Sequence, residues 1–241
     1  DCKYRKFHIL NIVFIKKLSD VYAYLHILSA KQQMLLTIPL PLNNFKILIL
    51  EANALSKSGI ELFDSEIREL ENINQPQRKN SFLGIRYLRN LLNIKYPIKY
   101  NANGKPYIEQ ESSFISISHS KDYLGLALAD FPIGIDIEVV DRNAFKVINK
   151  FASEHEINLY TIAPRDWALE MWCVKESVYK LANTPGLSFK NQIFIQSRFV
   201  DGNLIGVSGT ILFAEETRVF EALLHKNQTI LVAVAYFKDK P

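Results

Sequence analysis

The segment Gly134-Ile135-Asp136-Ile137-Glu138 constrains this chain most, because two acids alternate in it with isoleucines. Successive residues of a strand point to opposite faces, so Asp136 and Glu138 share one face and Ile135 and Ile137 the other. A second segment, Trp172-Cys173-Val174-Lys175-Glu176-Ser177-Val178-Tyr179-Lys180, has helical character. Residues four apart share a helix face, which sets Glu176 beside Lys180. A fold that joins the two segments offers three carboxylates and an ammonium, a donor set suited to Mg²⁺ holding a pyrophosphate. Each segment also has a plainer reading, as a half-solvated strand of an antiparallel sheet and as a surface ion pair. Two acids on so apolar a strand would be costly to bury without a cation. Trp167, Met171, Trp172, Val178, Tyr179 and Leu181 make the helix heavily apolar, so its charged face is expected to line a cleft.

Hydrophobic periodicity places the neighbouring elements. Phe45–Leu50 is expected as a core strand, with helices over Phe63–Glu71 and Gln77–Leu92 and a turn at Asn101–Pro106. Strands follow at Phe114–Ser118, Tyr123–Ala129 and from Pro132 through Glu138. Val147–Tyr160 is expected as a helix, and Pro164 suits the first turn of a longer one that runs to about Asn183. Alternation at Gln192–Gln196, Gly209–Phe213, Arg218–Leu224 and Thr229–Tyr236 predicts antiparallel strands. Without a regular βαβ order, α+β is the expected class.

The net charge of +4 raises a nucleic-acid reading, which its distribution opposes. Six of the 29 Lys and Arg but only two of the 25 Asp and Glu fall in residues 1–33, and the remainder is neutral. Met34 opens a segment that looks like a protein start. Phe7–Ile15 is apolar behind Lys and Arg, but Asn11 interrupts it and no small-residue cleavage site follows. Residues 1–33 are therefore expected to be a basic extension, with weak helical tendency over Val21–Leu28. No apolar run reaches the roughly 20 residues of a membrane-spanning helix. Cys2 and Cys173 make neither a disulfide framework nor a metal-ligand spacing, which fits a reducing cytoplasm. The expectation is a cytoplasmic monomer that contacts neither nucleic acid nor membrane.

Three further segments carry chemistry. In Ile115-Ser116-Ile117-Ser118-His119-Ser120, His119 follows a strand end where a loop can present it to a phosphate, while Ser118 and Ser120 serve equally as caps. Gly104-Lys105-Pro106 is a tight turn that projects one lysine. Arg78, Lys79, Arg86 and Arg89 form a basic helix preceded by Arg68, whose plainer reading is a solvated flank.

In order, GKP, SISHS, GIDIE and WCVKESVYK resemble the motif series of the 4′-phosphopantetheinyl transferases, of the long single-chain type known from surfactin synthesis. The helix NSFLGIRYLRNLL (80–92) also resembles the family's segment ahead of GKP, and the match runs from about Phe45 to the C terminus. The resemblance implies that Asp136, Glu138 and Glu176 hold Mg²⁺ against the pyrophosphate of coenzyme A, with Lys180 on the same phosphates. Ser118 and His119 match phosphate contacts, Gly104, Lys105 and Pro106 the turn near the adenine, and Arg68 a basic coenzyme A contact. Ser116 stands where many members have Asn. The implied reaction joins a serine hydroxyl of an apo acyl or peptidyl carrier protein to the β-phosphorus of coenzyme A and releases 3′,5′-ADP, as in fatty acid biosynthesis. Lys180 and Glu176 are its catalytic candidates, with Glu176 or a magnesium-bound water it orients as the base. The implied architecture is two pseudo-symmetric α+β halves, residues 34–130 and 131–241, with the active site between them. An acidic carrier helix calls for a basic or apolar lip, and Ala144–Tyr160 with Lys146, Lys150 and Phe151 is the candidate, an ordinary amphipathic helix being the alternative. The competing functions are a Mg²⁺-dependent nucleotide phosphohydrolase and a non-catalytic module that binds coenzyme A or carrier proteins.

Overall fold

A computed structural model describes residues 25–28, 33–36, 45–52, 59–201 and 204–238. Two short strands, β1 (Leu25–Leu28) and β2 (Gln33–Leu36), form an antiparallel ribbon. Strand β3 (Phe45–Glu51), helices α1 (Asp64–Glu71) and α2 (Pro76–Leu91), and the hairpin β4 (Ile98–Tyr100) and β5 (Pro106–Ile108) come next. Strands β6 (Phe114–Ser120), β7 (Tyr123–Ala129) and β8 (Ile133–Val139) follow. A 3₁₀ turn at Ala144–Val147 leads to α3 (Ile148–Phe151), α4 (Glu154–Asn158), α5 (Pro164–Ala182) and α6 (Phe189–Gln192). The remaining strands are β9 (Ile193–Asp201), β10 (Leu204–Leu212), β11 (Thr217–Lys226) and β12 (Ile230–Phe237).

Two antiparallel sheets result, ordered β3-β7-β6 and β8-β12-β11-β10-β9. The class is α+β. Period-two alternation sends Ile47 and Ile49 of β3 to one face and Leu48 and Leu50 to the other. The isoleucine face meets Ile133, Ile135 and Ile137 of β8 and Ile230, Val232 and Val234 of β12 in a core between the sheets. The leucine face packs under Ile85 and Leu88 of α2. On the far side Trp167, Met171, Val174 and Val178 of α5 cover Leu231, Ala233 and Ala235 of β12. The layers therefore run α2, three-stranded sheet, five-stranded sheet, α5. Each fully buried aliphatic side chain contributes about 1.5–3 kcal/mol.

Strand β8 is an edge strand, and exposed edge N–H groups need partners. They find them on β6, where the Ile135 N–H donates to Ser116 Oγ at 3.0 Å and the Ile137 N–H to Ser118 Oγ at 3.1 Å. The alternating serines of ISISHS thus clasp one sheet to the edge of the other.

Four expectations need correction. Leu25–Leu28 is a strand where a weak helix was expected, while Val21–Tyr24 and the rest of the extension up to Lys31 and Gln32 lie outside the described residues. Val147–Tyr160 is broken at the extended Ala152, because Ser153 starts a new helix: its Oγ accepts from the Glu156 N–H and the Glu156 carboxylate accepts from the Ser153 N–H. Phe151 is buried at 2 % exposure, and the exposed apolar residues of that strap are Phe145 and Val147. Arg86 and Arg89 are no solvated flank: both bind the buried Glu66 carboxylate, and each guanidinium also stacks on an aromatic ring, Phe82 and Phe63 respectively.

Candidate active site

Gly134 fixes how β8 crosses α5. A Cβ there would sit within contact distance of the Ser177 carbonyl oxygen and 2.6 Å from the Leu181 nitrogen, so only glycine lets the two backbones approach. From that crossing the elements run side by side in opposite directions. Two strand residues advance about 6.6 Å and one helical turn of four residues about 6 Å, so side chains stay in step. Asp136 consequently meets Lys180 and Glu138 meets Trp172, with Glu176 between them on the helix.

Asp136 and Glu138 are 5 % and 4 % exposed, which excludes the half-solvated reading of this strand. Lys180 Nζ donates to Asp136 Oδ1 at 2.8 Å and to Ser118 Oγ at 3.0 Å. Ser118 Oγ in turn donates to Asp136 Oδ1 at 2.9 Å while accepting from Ile137, so its donor and both lone pairs are engaged. Asp136 Oδ2 is buried and has no hydrogen-bond partner among the described residues. Burial, and next the charge of Asp136, raise the Glu176 carboxyl pKa above its ordinary value, while Lys180 partly offsets them.

An orphaned carboxylate oxygen beside a second acid strained by like charge fits a hard divalent cation, and Asp136 and Glu176 are its ligand candidates. Glu138 stands differently. Its Oε1 accepts from the Arg142 guanidinium and from Trp172 Nε1 at 2.7 Å, and its Oε2 accepts from Ser120 Oγ at 3.1 Å. Among the described residues no three His, Cys, Asp or Glu side chains are grouped as a metal would need.

Two clefts flank this centre. One, of about 240 Å³, is lined by Gly104, Lys105, Pro106, Ile117, Tyr179 and Lys180. Lys105 Nζ reaches the Leu181 carbonyl at 3.2 Å, so the GKP turn docks on the C-terminal end of α5, where a cation is favoured. Burial lowers the Lys105 pKa below its ordinary value. The second cleft, of about 510 Å³, is lined by His119, Ser120, Lys121, Glu138, Asp141 and Arg142. The structure thus gathers Lys105, Ser118, His119, Asp136, Glu138, Glu176 and Lys180 around one stretch of β8 and α5. Arg68 lies exposed on α1 and lines neither cleft.

Trp172, Arg142 and Ser120 join the site, although the sequence marked Ser120 only as a cap and Trp172 only as part of an apolar helix, and did not mark Arg142. The period-two serines of β6 were a usable signal for Ser120, whereas Arg142 lies past the end of β8, where no periodicity reaches it. Lys175, adjacent to Glu176 in sequence, points away from the site. Fully buried, it pairs with Glu156 at 2.6 Å and donates to the carbonyls of Phe151, Phe189 and Ile193, tying the strap and β9 to α5.

Residues 132–233, the span from β8 to β12, match the family described as the 4′-phosphopantetheinyl transferase superfamily. The 4′-phosphopantetheinyl transferase gsp of Aneurinibacillus migulanus is 33 % identical over 102 residues, covering 39 % of this chain and 43 % of that protein. The 4′-phosphopantetheinyl transferase psf-1 of Bacillus pumilus is 29 % identical over 136 residues, covering 52 % of this chain and 58 % of that protein. The match therefore spans about half the length of these relatives. Asp136, Glu138, Glu176 and Lys180 all lie within the residues that match the 4′-phosphopantetheinyl transferase superfamily.

Proposed function

We propose that this chain transfers the 4′-phosphopantetheine group of coenzyme A to a serine of an apo acyl or peptidyl carrier protein. The observation that carries the reading is the register of β8 against α5, which sets Glu176 and Lys180 about the buried, unpartnered Asp136 Oδ2. In the proposed reaction the serine Oγ forms a bond to the β-phosphorus of coenzyme A. The bond from that phosphorus to the bridging oxygen breaks, and 3′,5′-ADP leaves with the electron pair. Glu176, or a magnesium-bound water that it would orient, takes the serine proton. Lys180 moves from Asp136 Oδ1 toward the phosphates and balances charge on the leaving oxygen. Asp136 and Glu176, joined by Glu138, would hold Mg²⁺, which would supply Lewis-acid stabilisation of the pyrophosphate.

Lys105 with Gly104 and Pro106 would face the adenine, and His119 and Ser118 the phosphates. Arg68 would reach coenzyme A only from outside both clefts. Residues 34–130 and 131–241 would be the two halves of the fold, since each carries one sheet with a long helix on its outer face. The carrier would dock on the strap that follows β8, through Lys146, Lys150, Phe145 and Val147. No helix among the described residues is long and apolar enough to cross a membrane, and a cytoplasmic monomer is part of the proposal.

Incubation with coenzyme A, Mg²⁺ and several apo carriers, followed by carrier mass, tests the assignment. The expected result is a phosphopantetheine increment that Asp136→Ala and Glu176→Ala abolish. Coenzyme A cleavage without any carrier would instead establish a phosphohydrolase, and coenzyme A binding without turnover a binding module.

A further inference from the structure

Glu138 differs from Asp136 in having both carboxylate oxygens engaged by side-chain donors. Arg142 and the Trp172 indole share Oε1, Ser120 holds Oε2, and the Arg142 guanidinium also lies 4.7 Å from the centroid of the Trp172 ring. The two ends of the pair are unequally placed. The Arg142 side chain is 43 % exposed and the Glu138 side chain 5 %. Arg142 can swing into the open cleft it lines with His119 and Lys121 and be hydrated there, whereas Glu138, at the floor of that cleft, is too buried to be hydrated in the same way. A cation arriving beside Asp136 Oδ2 therefore meets a carboxylate already neutralised by a guanidinium that is easily displaced.

We propose that Arg142 is a positioning residue that competes with a divalent cation for Glu138: it neutralises and orients the buried carboxylate in the empty site and swings outward when the cation arrives. Trp172 and Ser120 stay in place and keep the carboxylate aimed. This inference rests on the reading of Asp136 and Glu176 as cation ligands. It gives the sequence following GIDIE a function in cation loading that is separate from substrate contact.

The test uses Mn²⁺ as the probe, with the full chain and no coenzyme A, and counts free Mn²⁺ by electron paramagnetic resonance. Arg142→Met should bind Mn²⁺ about fivefold more tightly than the wild-type chain, the scale of an ion pair exposed on one side, and Arg142→Lys should fall between them. Tryptophan emission gives a second readout: Mg²⁺ should shift it in the wild-type chain as the guanidinium leaves the Trp172 ring, and should not in Arg142→Met. Lys121→Met removes a cation from the same cleft without touching Glu138, and it separates competition from general electrostatics. Equal tightening by Lys121→Met and Arg142→Met overturns the proposal, as does unchanged or weaker Mn²⁺ binding by Arg142→Met. If Asp136→Asn abolishes Mn²⁺ binding in that case, the cation-site reading survives alone. If Asp136→Asn binds Mn²⁺ as the wild-type chain does, both fall.

Discussion

Cys173 sits on α5 directly behind the acids, and its surroundings decide its chemistry. The side chain is fully buried, and its thiol faces the backbone carbonyls of Asp136 at 3.5 Å and Leu231 at 3.8 Å. Burial first, then the charges of Asp136 and Glu138, push its pKa well above the ordinary thiol value. The thiolate is the reactive form, so this cysteine is a packing residue. In a Cys2→Ser background, a thiol reagent at neutral pH should label the native chain negligibly and label it stoichiometrically in denaturant. Rapid native labelling would show that α5 opens away from β8. The lysines teach the same lesson. Lys175 and Lys180 lie five apart on one helix, about 140° around its axis from each other, and one is buried against Glu156 while the other reaches Asp136.

At the scale of elements, the contact of β8 with α5 positions the site, and Gly134 is its tightest point. Gly134→Ala forces a methyl group against the Ser177 backbone, which cannot yield as a side-chain tip can. Overpacking of this kind costs about 1–3 kcal/mol, and each kcal/mol lowers Tm by about 2–4 °C in a chain of this size. The expected outcome is a measurable fall in Tm together with a larger loss of transfer activity, because the shift displaces Asp136 from Lys180. An unchanged Tm and activity would show that the crossing tolerates a side chain. Much of this arrangement was legible in the sequence. The period of GIDIE sorted Asp136 and Glu138 from the isoleucines, and the period of the helix aligned Glu176 with Lys180. Arg86 and Arg89 were not legible, because their partner Glu66 lies 20 and 23 residues away and nothing local marks a buried ion pair. The break at Ala152 was readable in hindsight from Ser153 and Glu156, which form a capping box.

At the scale of the whole molecule, two buried polar clusters tie the layers together. Glu66 joins α1 to α2 through Arg86 and Arg89 and also accepts from the Ile98 N–H of β4 at 3.4 Å. Glu156 joins α4 to Lys175 of α5 and accepts from the Ile195 N–H of β9 at 2.9 Å. Removing one member of such a pair leaves a charge uncompensated in the interior, at a cost of about 3–5 kcal/mol, a large share of the roughly 5–15 kcal/mol that holds a typical domain folded. Lys175→Met should therefore lower the denaturation midpoint substantially, and Lys175→Met combined with Glu156→Gln should recover part of the loss. A double variant no more stable than Lys175→Met alone would show that the carbonyl contacts of Lys175, and not the charge pair, stabilise this corner.

Which residues share a face can be read from the order of amino acids alone, because strand and helix periods are local properties of the backbone. That order groups Asp136 with Glu138 and Glu176 with Lys180. Only the tertiary structure decided which faces meet, and in what register. The meeting of β8 with α5 depends on the absent side chain at Gly134, and the clasp of β6 on β8 depends on edge N–H groups finding Ser116 and Ser118. Neither contact exists until distant segments are packed. The same packing made Arg86, Arg89 and Lys175 structural, left Asp136 Oδ2 without a hydrogen-bond partner among the described residues, and gave Glu138 to Arg142. Burial and pairing are non-local quantities, and they set the chemistry of each charged group here.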